Sequence, residues 1–193
     1  MVTGILALQG GFRAHREMLT RLQVPTREVR LASDLQGISS LILPGGESST
    51  MLKLLDREKL FSKIQKLGYE GMPILGTCAG AILMCQQVMN PSQRSFGFIP
   101  ATIERNAYGS QRESFETDFP IDSWGLAKVH ALFIRAPLLK ETGHDVQIIS
   151  KLGQDITGIQ YKNFTAVTYH PELTRDDAFH REWIQQINNK GTS

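Results

Sequence analysis

Residues 73–88 read PILGTCAGAILMCQQV, and the reading turns on their centre. Pro73 to Thr77 is a short apolar run of the kind that forms a buried strand, and the apolar residues after Ala79 predict a helix through AGAILMCQQV. Between them stands Gly76-Thr77-Cys78-Ala79-Gly80, a sharp strand–turn–helix junction with a cysteine in the place of the nucleophile of an elbow. Glycines two before and two after the cysteine fit such a turn, because side chains there would collide where strand and helix pass. Cys78 is expected exposed at the sheet edge. The start of the following helix would favour thiolate over thiol, and its free backbone N–H groups could hold an oxyanion. Taken alone, G-x-C-x-G is as compatible with a small buried cysteine as with a nucleophile. Cys85, expected inside the same helix among Ile82, Leu83 and Met84, has no elbow or basic neighbour and reads as structural. Two cysteines seven positions apart make an improbable disulfide and a poor metal site, which leaves at least one thiol free for chemistry.

Working outward, the first half alternates strand and helix. Thr3 to Leu8 reads as a strand entering the Gln9-Gly10-Gly11 loop, Phe12 to Leu22 as a helix, and Thr26 to Leu31 and Ser40 to Leu43 as strands. The strand at Ser40 runs into Pro44-Gly45-Gly46, and a helix is expected from about Ser48, its apolar spacing continuing through Leu67 to a stop at Gly68. After Asn90-Pro91 come strand-like runs at Phe96 to Ile103, Lys128 to Ile134, Val146 to Ser150, Ile156 to Tyr161 and Thr165 to Tyr169. A last amphipathic helix runs from about Asp176 to Asn188. This pattern predicts a three-layer α/β/α fold around a mostly parallel, mixed sheet, with ligands bound beyond the carboxyl ends of the strands.

The chain has 193 residues, 41% hydrophobic and 21% charged, an ordinary globular composition for which one domain over residues 1–193 is expected. A net charge of +2 with scattered lysines and arginines excludes the basic stripe that nucleic acid or an anionic membrane would need. The opening MVTGILALQG is too short to span a bilayer and lacks the marks of a signal peptide, so a cytoplasmic protein is expected. No residue pattern calls for a cofactor or a metal.

A cysteine nucleophile needs a base, and the base needs an orienting partner. His15, His130, His144 and His180 read as surface or packing residues. His170 stands apart: it ends an apolar strand and is followed by Pro171-Glu172, and on an extended chain residues two apart share a face, which would put a carboxylate beside the imidazole. A third signal is Pro44-Gly45-Gly46-Glu47-Ser48, at the same edge of the expected sheet as Cys78. Glycine backbone there could approach a substrate closely, and the N–H groups of Gly46 and Ala79 are the expected oxyanion pair.

In that order, strand-end P-G-G, G-x-C-x-G elbow and H-P-E triplet resemble the class I, or triad, glutamine amidotransferases. Within them the chain is similar to the glutaminase subunits of pyridoxal 5-phosphate synthase complexes. That likeness rests on LALQG (6–10), LPGGES (43–48), ERNAYGSQRESFE (104–116), FIRAP (133–137) and HPELT (170–174), and it covers essentially the whole chain. The resemblance implies a glutaminase with Cys78, His170 and Glu172 as its triad and with Gly46, Glu47, Ser48, Arg105, Ile134 and Arg135 lining the site for L-glutamine. Charge complementarity would give Glu47 the α-ammonium, and either Arg105 or Arg135 the α-carboxylate. It also implies a partner, the barrel-shaped synthase subunit that builds pyridoxal 5-phosphate from a pentose phosphate and a triose phosphate, to which ammonia is delivered. A glutaminase serving another acceptor, a different cysteine enzyme on a related elbow and an inactive binding subunit are the rival readings. The stretch from Glu104 to Glu116, the late H-P-E triplet and the complete triad weigh against them in turn.

Overall fold

The computed structural model describes residues 1–105 and 114–190, the last without its side chain. Of the stretch from Glu104 to Glu116, residues 106–113 therefore lie outside the described residues.

Four parallel strands carry the argument: β1 (Thr3–Leu6), β3 (Ser40–Leu43), β4 (Ile74–Thr77) and β12 (Phe164–Val167), with β2 (Thr26–Val29) at one edge. They lie side by side in the order β2-β1-β3-β4-β12, all parallel. Beyond β12 the sheet becomes mixed through β11 (Asp155–Tyr161), β9 (Leu138–Thr142), β6 (Ile99–Glu104) and β5 (Cys85–Met89), with β10 (Gln147–Leu152) paired to β11. A separate ribbon joins β7 (Ser114–Ile121) to β8 (Leu126–Ile134). The expected mixed α/β architecture is the one observed.

Because successive side chains of a strand point to opposite faces, each central strand feeds two cores. Leu6, Leu43, Ile74 and Ala166 face one, closed by α2 (Ser48–Arg57), α3 (Phe61–Tyr69) and α4 (Ala79–Met84) through Met51, Leu55, Ile64 and Leu83. Ile5, Ile42, Leu75 and Val167 face the other, closed by α1 (Phe12–Arg21), α5 (Ala178–Lys190) and the β7–β8 ribbon through Leu19, Phe179, Trp183, Val129 and Phe133. These are the three expected layers, with the ribbon as an unforeseen part of the second cover.

Three expectations fail locally. The helix from Ser48 is two helices: Lys59 takes φ 54° between them, and α3 restarts after Leu60. The helix after the elbow is six residues long, not ten, because Cys85 to Met89 pairs in parallel with β6 instead. Cys85 thus opens a strand and is not inside a helix, although it is buried as expected. Strands β7 and β9 were not anticipated.

Candidate active site

The registers of the parallel strands bring their carboxyl ends to one edge. Leu43 lies opposite Gly76, and Val167 opposite Thr77, so the chain leaves β3, β4 and β12 with Gly45, Cys78 and His170 converging just beyond. A Cβ placed on Gly45 would come within 2.3 Å of His170 Cε1 and 3.4 Å of Cys78 Cβ, which measures how tightly the three meet.

Cys78, expected exposed, is buried with 8% of its surface accessible at the edge of the cleft; it has φ 47° and ψ −103°, a sparsely populated conformation for a residue with a side chain and one of the strained backbones that gather at functional sites. The turn closes only because of its glycines. A Cβ on Gly80 would sit 2.0 Å from the Leu43 carbonyl oxygen, and one on Gly76 would sit 2.7 Å from the Gly80 carbonyl carbon. Each glycine therefore makes room for backbone, as the sequence reading required. Ala79 follows as the first residue of α4, buried.

His170 is braced from both sides. Its backbone N–H donates to Leu132 O at 2.8 Å, and its ring Nδ1 lies 2.8 Å from Glu172 Oε1. The partner is the expected one, but the geometry differs from an extended chain: Pro171 to Leu173 form a single 3-10 turn that folds Glu172 back under the ring. With Nδ1 taken by Glu172, Nε2 is the ring nitrogen left for Cys78. Burial works to depress the His170 pKa, but the hydrogen bonds with Cys78 and Glu172 and their charges outweigh it and raise it to about 10. Burial likewise pushes Glu172 upward, and the neighbouring His15 and His170 overcome it, holding this fully buried carboxyl at about 2. The arrangement is an imidazole that keeps its proton, set between a sulfur and a buried carboxylate.

A cleft of about 450 Å³ opens over these groups, lined also by Gly46, Glu47, Ser48, Arg105, Ile134 and Arg135. Every sequence-selected site residue except Ala79 lines it. Glu47 does more than face the cleft. It caps α2, accepting from Ser49 and Thr50 N–H at 3.2 and 2.6 Å, and although burial opposes it, those bonds hold its carboxyl at about 2. It also accepts from the Ser49 hydroxyl at 2.7 Å and pairs with Arg105, whose Nη2 lies 3.0 Å from Glu47 Oε1, so two charges expected to face a substrate pair with each other here. Ser48 Oγ donates to Gln93 Oε1 at 3.1 Å. Arg135, at φ 42° directly after β8, is exposed at the cleft wall.

The sequence reading missed Gln9. Its Oε1 accepts from Glu47 N–H at 3.1 Å, and its amide packs so closely on Gly46 that a Cβ there would lie 2.5 Å from Oε1. The signal was available, since β1 is one of the parallel strands whose carboxyl ends should be searched. His15 and His180 were read as surface or packing residues; both are fully buried, and His15 Nε2 lies 3.5 Å from Glu172 Oε1. His144 is fully exposed, and His130 pairs with Asp118 and Glu116 at the surface of the β7–β8 ribbon, so neither approaches the cleft.

A mostly parallel sheet with a cysteine elbow, and with an imidazole arriving at its edge from the last parallel strand, is the layout of thiol enzymes that open acyl and amide bonds. The comparisons with known proteins narrow that class. The model of the SNO glutamine amidotransferase family matches residues 5–189. A protein of Roseiflexus castenholzii called pyridoxal 5'-phosphate synthase subunit PdxT is 45% identical over 96% of this chain and all of its own length. A protein of the same name from Shouchella clausii is 43% identical over 97% of this chain and 95% of its own. A crystal structure titled glutamine amidotransferase superposes with a TM-score of 0.91 at 39% identity, covering 97% of this chain and all of that one. The chain belongs to the SNO glutamine amidotransferase family and is a glutamine amidohydrolase.

Proposed function

We propose that Cys78, His170 and Glu172 carry the amide hydrolysis of L-glutamine. The Cys78 sulfur attacks the side-chain carboxamide carbon, and the oxygen that becomes negative is received by the N–H groups of Gly46 and Ala79. His170, protonated at Nε2, gives that proton to the departing nitrogen; the C–N bond breaks, ammonia leaves and a thioester remains. His170 then takes a proton from water, the resulting hydroxide opens the C–S bond, and glutamate departs while the proton returns to the cysteine–histidine pair. Glu172 holds Nδ1–H throughout, fixing the ring's tautomer. In the pocket, Glu47 receives the α-ammonium, and Arg105 or Arg135 the α-carboxylate; the ion pair between Glu47 and Arg105 would open to admit the zwitterion between its members.

The observation that carries this reading is His170, held by Glu172 at 2.8 Å and meeting Cys78 around Gly45, with all three lining one cleft.

Ammonia released into water is protonated and ceases to be a nucleophile, so it has to be passed on. Two relatives at 43% and 45% identity bear the name pyridoxal 5'-phosphate synthase subunit, and we assign this chain the same place: a single cytoplasmic domain that supplies ammonia to the barrel-shaped synthase subunit. Among the described residues no helix is long and apolar enough to cross a membrane. The test is glutamate release from L-glutamine by the purified chain, alone and with that synthase subunit added. Turnover that rises sharply with the partner and vanishes in Cys78→Ala is the expected result. Turnover indifferent to the partner would reassign the pathway, and turnover retained by Cys78→Ala would remove the nucleophile.

A further inference from the structure

Behind the Glu172 carboxylate lies a second set of polar side chains that the hydrolysis steps leave idle. His15 on α1 and His180 on α5 are both completely buried, where polar groups are kept only if they are paired. His15 Nε2 lies 3.1 Å from Thr77 Oγ1 and 3.5 Å from Glu172 Oε1, while its Nδ1 lies 3.1 Å from His180 Nε2. Thr77, the residue before the nucleophile, donates its own hydroxyl to Glu172 Oε1 at 3.4 Å. Three side chains thus converge on one carboxylate oxygen: His170 from the cleft side, Thr77 and His15 from behind.

The tautomers follow from comparing the two registers. With the His15 proton on Nδ1, that N–H would donate to His180 Nε2, and the His180 proton would be forced onto Nδ1, which has no acceptor among the described residues. The same register would aim the bare Nε2 lone pair of His15 at a carboxylate oxygen 3.5 Å away. With the protons on Nε2 of both rings, His180 donates to His15 Nδ1, and His15 donates toward Thr77 and Glu172. Only one bare acceptor is then left unpartnered, the less costly orphan. Burial depresses the His15 pKa, with Glu172 pulling it up and His170 adding to the depression, and burial likewise depresses His180 to about 3, helped by His15 and Arg21 and opposed by Glu172.

We propose that His15 is a positioning residue for glutamine hydrolysis. Its Nε2–H anchors the Glu172 carboxylate and the Thr77 hydroxyl, and so holds His170 in line with Cys78, while His180 fixes the tautomer that allows this. The proposal rests on the reading of Cys78, His170 and Glu172 given above. It requires a hydrogen-bond donor at one point in space, whereas a packing role would be met by any side chain of similar bulk.

Three substitutions separate the two, assayed for glutamate release on the full chain in the presence of the synthase subunit. His15→Leu keeps bulk and removes the donor; kcat should fall about 10- to 100-fold while KM stays within about twofold. A glutamine amide reaches the position of Nε2, so His15→Gln should recover kcat to within about threefold of the parent. An asparagine amide reaches only the position of Nδ1, so His15→Asn should keep the link to His180 and remain as slow as His15→Leu. A His15→Leu chain with parental kcat, or a His15→Gln chain no faster than His15→Asn, overturns the proposal. The second comparison decides alone if His15→Leu does not fold. Cys78→Ala, run alongside, keeps the two readings apart: activity surviving there removes the triad itself, while a dead Cys78→Ala beside an unimpaired His15→Leu removes only the role of His15.

Discussion

Gly45→Ala is the substitution whose cost can be worked from a single contact. The added Cβ would lie 2.3 Å from His170 Cε1 and 2.9 Å from its Nδ1, whereas ordinary contact begins at 3.4 Å, so the ring must retreat by about 1.1 Å. Gly45 does not occupy the left-handed region, and alanine adds no backbone strain of its own there. Nor can the ring swing aside freely, since its Nδ1 is held by Glu172 at 2.8 Å and its backbone by Leu132 at 2.8 Å. The shift therefore falls on the line between Nε2 and the Cys78 sulfur. A misplacement of about 1 Å costs about 100-fold in rate, equivalent to about 2.7 kcal/mol of barrier. Steady-state glutamate release with the synthase subunit present should show kcat lowered by about that factor with KM changed less than about threefold. The thermal midpoint should stay within a few degrees, because the displaced group borders the cleft. A Gly45→Ala chain that turns over within about threefold of the parent would refute the geometry on which the mechanism rests.

Gly80→Ala should destabilise the fold: its Cβ would lie 2.0 Å from a carbonyl oxygen of the central strand β3, and an unchanged urea midpoint, in place of a loss of about 3 kcal/mol, would contradict the crowding. The His170–Glu172 pair also sets a pH window. Glu172, depressed from 4.5 to about 2, contributes stability above pH 4.5 that is lost as pH falls toward 2. His170, raised from 6.5 to about 10, contributes stability below pH 6.5 that is lost as pH rises toward 10. Urea midpoints measured across pH should accordingly form a plateau between the two limbs, and Glu172→Gln should flatten the acid limb; an acid limb parallel to that of the parent would exclude Glu172 as its source. Finally, iodoacetamide in mildly alkaline buffer should label Cys78 alone in the folded chain, because Cys85 is fully buried and pushed up to about 12, and denaturant should release the second of the two thiols. Labelling of Cys85 at the same rate as Cys78 in the folded chain would count against this.

What could be read from the sequence was whatever local pattern decides. The alternation of apolar runs and turns gave the parallel half of the sheet, and the glycines of the elbow and the H-P-E triplet located the cleft, because a tight turn and an X-Pro step constrain the backbone by themselves. Where pairing with a distant segment decides, the reading failed. Ala79 to Val88 is apolar enough to continue as a helix, and only pairing with β6 turns Cys85 to Met89 into a strand. Likewise Ser114 to Ile121, polar along much of its length, becomes a strand because β8 pairs with it from Phe115↔Phe133 to Phe119↔Val129. His15 and His180 were read as surface or packing residues because each stands on a helix amid charged neighbours. Their helices approach the same carboxylate from opposite ends of the chain, and only the fold reveals that.

The place of β12 in the sheet bears on how the protein is made. This strand lies between β4 and β11, near the middle of the sheet, although it follows every other described strand in the sequence. A nascent chain on the ribosome already carries the elbow and its thiol, but the slot beside β4 stays open until Val167 and His170 have emerged and inserted. Closing a central parallel strand late, across a large sequence separation, is a slow and cooperative event. Under the proposed mechanism, a chain that has not yet reached His170 therefore has the cysteine without its base and does not turn over glutamine. Competence to spend the cell's nitrogen arrives only with completion of the fold.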